Sequence, residues 1–426
     1  MKTIRSLAIL AAFLFIAETA MAANYYVRAG AAGANNGADW TNAYTSLPAT
    51  LVRGASYYVA DGSYGSYTFN DPASASSLII VKKATLSDHG TDTGWDSSYG
   101  DGQAIWGRLV FATSYYTFDG ATRNNSNWAD STAYGFVVDG GPGGNNSKQY
   151  DVSGVSNITI RYSYSFYDNV HTGSDVEENR DHGLYSLSGS NYITLEYSYV
   201  KNTSWKAAIL INSTSGPITI KSNYFENIYK KELFSARSTH NVTFALNHIK
   251  NAAGTGILVA DDSDNWNIYG NVFWSPSSSY TFTDVIMGTW TGDHPDRNET
   301  LNNWKIYNNT FYQMRGASQI QIQHGSGNVA ANNLFIGFSS SINGSITAEN
   351  NTQNASTSVV TNADGGYFNP NGAISTGTIL PAPYNMDPAG IVRGADGVWD
   401  RGAFEFSSGV IGARPSPPSN LNIIVP

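Results

Sequence analysis

The chain has no cysteine, few charged residues, little that is spaced like a helix, and no apolar run long enough to cross a bilayer. Each absence removes a class of explanation. Without cysteine there is no disulfide framework, so stability must come from a large core. Charged residues are 13% of the chain, against about 25% in an average soluble domain. The net charge of −9 argues against a general nucleic-acid binder. The apolar run from Leu7 to Ala17 falls short of the roughly 20 residues a membrane span needs. With Lys2 and Arg5 before it and Ala20-Met21-Ala22 after it, it reads as a secretory signal peptide. The expectation is a leader over residues 1–22, a mature chain from about Ala23, and a soluble secreted protein without a transmembrane segment. What is abundant is Gly (42) and Tyr (27), with Ser, Thr and Asn filling much of the rest, which is a composition for strands and turns.

A motif of the form apolar-x-apolar-x-x-Asn-x-apolar recurs. It runs from Ile218 to Phe225, Val242 to Ile249, Trp266 to Phe273 and Trp304 to Phe311, and a weaker copy ends at Asn333-Leu-Phe335. Earlier copies carry Ser163 and Ser198 at the Asn position. Successive Asn or Ser positions lie 35, 25, 24, 24, 38 and 24 residues apart. A period near 24 predicts one coil of a solenoid in which each coil packs on its neighbours. The apolar pairs are short strands with one face inward. The Asn suits a turn, because its amide bonds local backbone and tolerates left-handed dihedrals, and stacked asparagines would bond one another in a ladder. Trp266 and Trp304 share the column of Ile193, Ile218 and Val242 and are expected in the core.

On these residues the chain resembles the right-handed parallel β-helix superfamily of pectate lyases and related enzymes. Asn24 to Val27, the Gly-rich run Ala29 to Gly37 and Trp40 look like the opening strand and loop of that group. Arg53 to Tyr64 looks like the segment that follows, and Asp387 to Gly390 with Asp400 to Glu405 looks like the closing segment. The resemblance implies an all-β, single-stranded right-handed parallel β-helix over residues 23–406, monomeric, followed by a Pro/Ser-rich tail over 407–426. It speaks to fold more than to activity, since the superfamily hosts many functions.

Two intervals exceed the period. The surplus of the first is placed within Thr172 to Arg180, and that of the second within Thr291 to Leu301. Insertions in a solenoid become loops, often around a binding face. The coils between them are unusually basic. From Ser198 to Lys250 there are seven basic residues (Lys201, Lys206, Lys221, Lys230, Lys231, Arg237, Lys250) and two acids, Glu226 and Glu232. From Asn251 to Glu299 there are seven acids, among them Asp261 and Asp262, and one Arg. A positive stripe beside a negative one would focus an anionic ligand on the first and a cation, calcium among the possibilities, on Asp261 and Asp262 of the second. Solvated surface charge is the alternative. Aligning coils on the Asn position puts His182, Ala207, Lys231 and Thr255 in one column, Glu232 in the next beside Ala208, and Arg237 with Ser188, Ser213 and Asp261.

The segment Glu232 to Asn241 is similar to the catalytic coil of the chondroitinase B and alginate lyase family. The resemblance implies Glu232 as a calcium ligand and Arg237 at the catalytic lysine, with Ser235, Ser238 and Asn241 as framework. The family's first glutamate is replaced by Lys230, and the next coil lacks the family's arginine. β-Elimination from a uronic acid needs its carboxylate neutralised and a base near the C5 proton. Lys230 or Lys231 would stand where calcium is lost. Arg237 suits a carboxylate clamp better than a base, given its pKa, and His182 or His240 suits the base. Lys206 and Lys230, with Trp205, Tyr229, Trp290 and His240, are candidate contacts for a polysaccharide, expected to be anionic. Two other readings stay open. A glycoside hydrolase would draw two carboxylates from Asp181, Glu232, Asp261, Asp262 and Asp284. A non-catalytic glycan-binding surface protein would need only the aromatic and basic contacts.

Overall fold

The computed structural model describes residues 23–74, 76–141, 147–168, 182–203, 207–229, 232–277, 279–280, 284–288, 300–314 and 319–407. The leader, nearly all of the Pro/Ser tail, Thr172 to Arg180 and most of Thr291 to Leu301 lie outside them. So do Asp181, Trp205, Lys206, Lys230, Lys231 and Trp290.

Each coil gives one short strand to each of three parallel sheets. Asn191–Glu196 lies in the first sheet, Tyr199–Lys201 in the second and Ala207–Thr214 in the third, and Ile218–Lys221 returns to the first. Register is kept coil after coil. Ile193, Ile218, Val242 and Trp266 are successive partners in the first sheet. Tyr199, Tyr224, His248 and Val272 are partners in the second, and Leu210, Ser235, Leu258 and Met287 in the third. The first sheet runs to 12 strands. This is the parallel β-helix that the 24-residue period predicts.

Its core is a set of aliphatic and aromatic columns threaded along the axis. Trp266 and Trp304 stack at 5.0 Å and are fully buried, each indole N–H donating to a backbone carbonyl (Thr239 and Ser263, both at 2.8 Å). Large rings stacked in register fill the bore, and each such pair adds about 0.5–1.5 kcal/mol beyond its buried area.

The recurring asparagines occupy the corner between the first and second sheets. Asn223 Nδ2 donates to Asn247 Oδ1, Asn247 to Asn271, Asn271 to Asn309, Asn309 to Asn333 and Asn333 to Asn351, at 2.8–3.1 Å. The left-handed turn residue, however, is the one before each of them. Tyr162, Tyr197, Ser222, Leu246, Gly270, Asn308, Asn332 and Asn350 all have φ between 48° and 64°. The stacked Asn is therefore there for its amide, not for its dihedral freedom. Shorter Asn rows hold the other two corners, Asn202, Asn227 and Asn251 at one and Asn241, Asn265 and Asn303 at the other.

The coils end at Thr352–Ala355. The chain then folds back over the outer face of the second sheet. The hairpin of Val360–Asn362 and Tyr367–Pro370 sets Phe368 against Trp274 and Tyr312. The segment resembling a closing motif is a buried knot. Asp387 accepts from the N–H groups of Ala389, Ile391 and Glu405, and Asp400 from those of Ile374 and Phe406, while Arg393 faces Glu405 at 3.5 Å. From the other end, the loop between Asp119 and Phe136 reaches along the axis until Trp128 meets His248, ring centroids 4.6 Å apart.

Candidate functional site

Of the two long stretches, one is followed by a strand of the third sheet and the other comes after one. Residues 167–181 lead from Ser163–Phe166 in the second sheet into His182–Ser186 in the third, and residues 289–304 lead from Ile286–Gly288 out to Lys305–Tyr307 in the first. The outer face between them carries the column Asp151, Tyr185, Leu210, Ser235, Leu258, Met287, Gln321 and Asn343. Arg237 projects two positions beyond Ser235 and is partly exposed, on the strand Glu232–Thr239. Glu232 starts that strand, also partly exposed.

The register differs by one residue from the aligned columns. Glu232, not Lys231, pairs with Ala207, and Arg237 lies between Asn212 and Ala260 rather than Ser213 and Asp261. The coils do not advance by 24 in every sheet. The third sheet steps 25 residues from Ala207 to Glu232 and 23 from Phe234 to Ile257. Because side chains alternate, a one-residue slip exchanges which of two neighbours faces out. Glu232 and Arg237 are five residues apart on one strand, roughly 16 Å if extended. They would hold different sugar units, not one group.

The histidines are placed less favourably for catalysis. His182 is fully buried, with Nδ1 2.7 Å from the Ala207 carbonyl. His240 stands at the corner leaving the third sheet, and its Nδ1 accepts the backbone N–H of Asp264 at 3.2 Å. A neutral ring that accepts at Nδ1 carries its proton on Nε2, so it has no lone pair left to take a proton from substrate.

The acidic residues are mostly engaged with the backbone. Asp261 is the left-handed residue of the turn after Ile257–Ala260, with φ 61°. Asp262 is exposed and accepts the N–H of Thr300 at 2.8 Å, and Asp264 accepts that of Asn302 at 2.7 Å. They anchor the chain where it returns from the second long connection. Among the described residues no three His, Asp or Glu side chains come together to hold a metal ion. Asp261 and Asp262 form no such group, so the described donor set does not fit calcium.

The basic stripe does not survive folding as one surface. A coil passes through all three sheets, so sequence neighbours face different ways. Lys221 sits in the first sheet opposite Glu196. Lys201 and Lys250 sit in the second, both on Glu226 at 3.7 and 2.9 Å, and of the stripe's described basic residues Arg237 alone lies in the third. Tyr229 is half-buried against Tyr280, ring centroids 5.2 Å apart. One contact the motif could not reveal is Lys148, whose ammonium lies 3.7 Å from the centre of the Tyr185 ring and 3.2 Å from Asp151. It belongs to a coil before the first recognisable Ser or Asn copy, so no periodic signal points to it.

No family model matches the chain, and no curated protein matches it. Among solved structures, pectate lyase Pel9A superimposes with a TM-score of 0.50 at 16% identity, covering 90% of this chain and 96% of that one. The chain is a right-handed parallel β-helix. The Streptococcus pneumoniae surface protein and adhesin PfbA aligns more loosely, with a TM-score of 0.36 at 13% identity, over 70% of this chain and 89% of that one. At these identities the likeness to this β-helix is one of fold. Among the described residues no helix is long and apolar enough to cross a membrane.

Proposed function

We propose that this is an exported, monomeric carbohydrate-active β-helix that binds an acidic, uronate-containing polysaccharide along the outer face of the third sheet and cleaves it by β-elimination. The observation that supports the reading is the placement of Arg237, a partly exposed residue on a strand of the sheet that the chain enters at His182 after one long stretch and leaves at Gly288 before the other. A planar guanidinium pairs two-pronged with a carboxylate. Clamping the uronate carboxylate stabilises the charge that develops on it as the C5 proton leaves. The C5–H electron pair then forms the C4=C5 double bond, and the C4–O bond breaks. The leaving oxygen takes up a proton.

Lys231, next in sequence to Glu232, is the candidate base, with Lys206 and Lys230 as further contacts to the acidic chain. His182, buried, and His240, with Nδ1 occupied, are less suited. Glu232, several sugar units from Arg237, serves binding. A second reading, a glycan-binding protein without catalysis, is favoured by the placement of His182 and His240, the two histidines considered as base among the described residues.

The test is incubation of the mature protein with alginate, pectate, chondroitin and ulvan. Absorbance at the unsaturated-uronide band supports elimination. New reducing ends without that absorbance support hydrolysis instead, and retention without either supports the binding protein.

A further inference from the structure

The second sheet carries a cleft of about 860 Å³ that is separate from the Arg237 face. Its floor is the outer side of successive coils, with Tyr224, His248, Lys250 and Trp274. One wall is the loop bearing Trp128, and the other is the folded-back C-terminal segment with Tyr367 and Phe368. Two chain segments from opposite ends of the solenoid thus stop short of each other and leave a walled hollow. Its size falls within the range of small-ligand sites, about 300–1,000 Å³.

The charges around it are satisfied from within. Lys250 Nζ lies 2.9 Å from Glu226 Oε1. Asp364 Oδ1 accepts from the Tyr312 hydroxyl at 2.5 Å and from Gln313 Nε2 at 3.0 Å. Glu405 faces Arg393 at 3.5 Å. What remains to meet a ligand is aromatic surface and neutral polar groups. Tyr367 is 62% exposed on the rim. Trp274 is 95% buried, yet its indole N–H has no acceptor among the described residues.

We infer that this cleft is a binding site for an uncharged glycan, with a pyranose ring laid on Tyr367, its edge against the wall that Trp128 builds, and hydroxyls meeting the neutral polar lining of Ser126, Asn127, Thr361 and Asn369. An aromatic face takes the apolar side of a sugar ring, while the balanced charges give no preference for a uronate. The site is independent of cleavage at Arg237. It would hold the protein on a neutral polymer, or on the neutral stretches of a mixed one.

The full mature chain is titrated with cellohexaose, mannohexaose and maltohexaose, and with hexagalacturonate as the charged comparison, by calorimetry and tryptophan fluorescence. The expected result is saturable binding of at least one neutral hexasaccharide, unchanged between 50 and 500 mM salt because no ion pair is involved. Trp128→Ala and, separately, Tyr367→Ala should each weaken it at least tenfold. Tyr367 is exposed, so its variant keeps the test valid if Trp128→Ala perturbs the loop. Arg237→Ala should leave it unaltered. Binding of none of the neutral probes, binding untouched by either aromatic variant, or binding that collapses with salt would overturn the inference. Loss of lyase activity with this binding intact would count against the proposed function alone.

Discussion

At the scale of single residues, the corner between the first and second sheets shows what a repeat can and cannot tell. The Asn spaced near 24 is legible because every coil must satisfy the same backbone groups at that corner. Asn247 Oδ1 accepts both the backbone N–H and the side-chain amide of Asn223, and its own Nδ2 reaches the Ile220 carbonyl. Asn247→Ala would strand the buried N–H donors of Asn223 and take the side-chain donor from the Ile220 carbonyl and Asn271 Oδ1, at about 1–3 kcal/mol, read as a lower urea midpoint with an unchanged slope. The left-handed residue just before it is not legible, since Tyr, Ser, Leu, Gly and Asn all occupy that position. Leu246, with φ 57°, is the clearest misfit. Leu246→Asn, using the residue the chain itself places at 308, 332 and 350, should gain up to about 1 kcal/mol in the same measurement, because an L side chain without a local hydrogen bond pays about that much in the left-handed region. A loss of stability would mean that the packing of Leu246 outweighs its strain.

Among elements, the strands of the second sheet hold a charge ladder that sequence reading spread along a stripe. Glu226 receives the Tyr199 hydroxyl and both Lys201 and Lys250. Burial alone would raise its pKa, but the Tyr199 hydroxyl, then Lys250 and Lys201, hold it below the ordinary carboxylate value. A carboxyl lowered in the folded state adds stability above its unfolded pKa of about 4.3, and that stability is lost as pH falls through the folded value. Acid titration of unfolding should therefore show a steep loss below about pH 4, and Glu226→Gln should flatten that limb while lowering stability at pH 7. An unchanged acid limb would show that the ladder contributes nothing. The ladder was hidden for the same reason that the Arg237 column slipped by one. Sequence spacing is an average over the whole coil, while each sheet keeps its own step, 25 then 23 in the third.

Across the whole molecule, the fold was open to reading and the site only in part. The period, the inward tryptophans and the positions of the two long connections follow from a core that repeats itself. The third sheet as the face between those connections follows too, once each strand is assigned to a sheet. The neutral cleft does not, because it is made by the loop of Trp128 and the segment after Ala355, which obey no period and meet only in three dimensions. The account divides the surface into an acidic-polymer face at Arg237 and a neutral cleft at Trp128. Its central claim is the first. The most direct test is the rate of unsaturated-uronide formation by wild type and Arg237→Ala on whichever polyuronate responds, with folding of the variant checked by its unfolding transition. The account predicts a fall of about 10²–10³-fold, the usual cost of removing one group that stabilises developing negative charge. A folded Arg237→Ala protein that cleaves at the wild-type rate would contradict it.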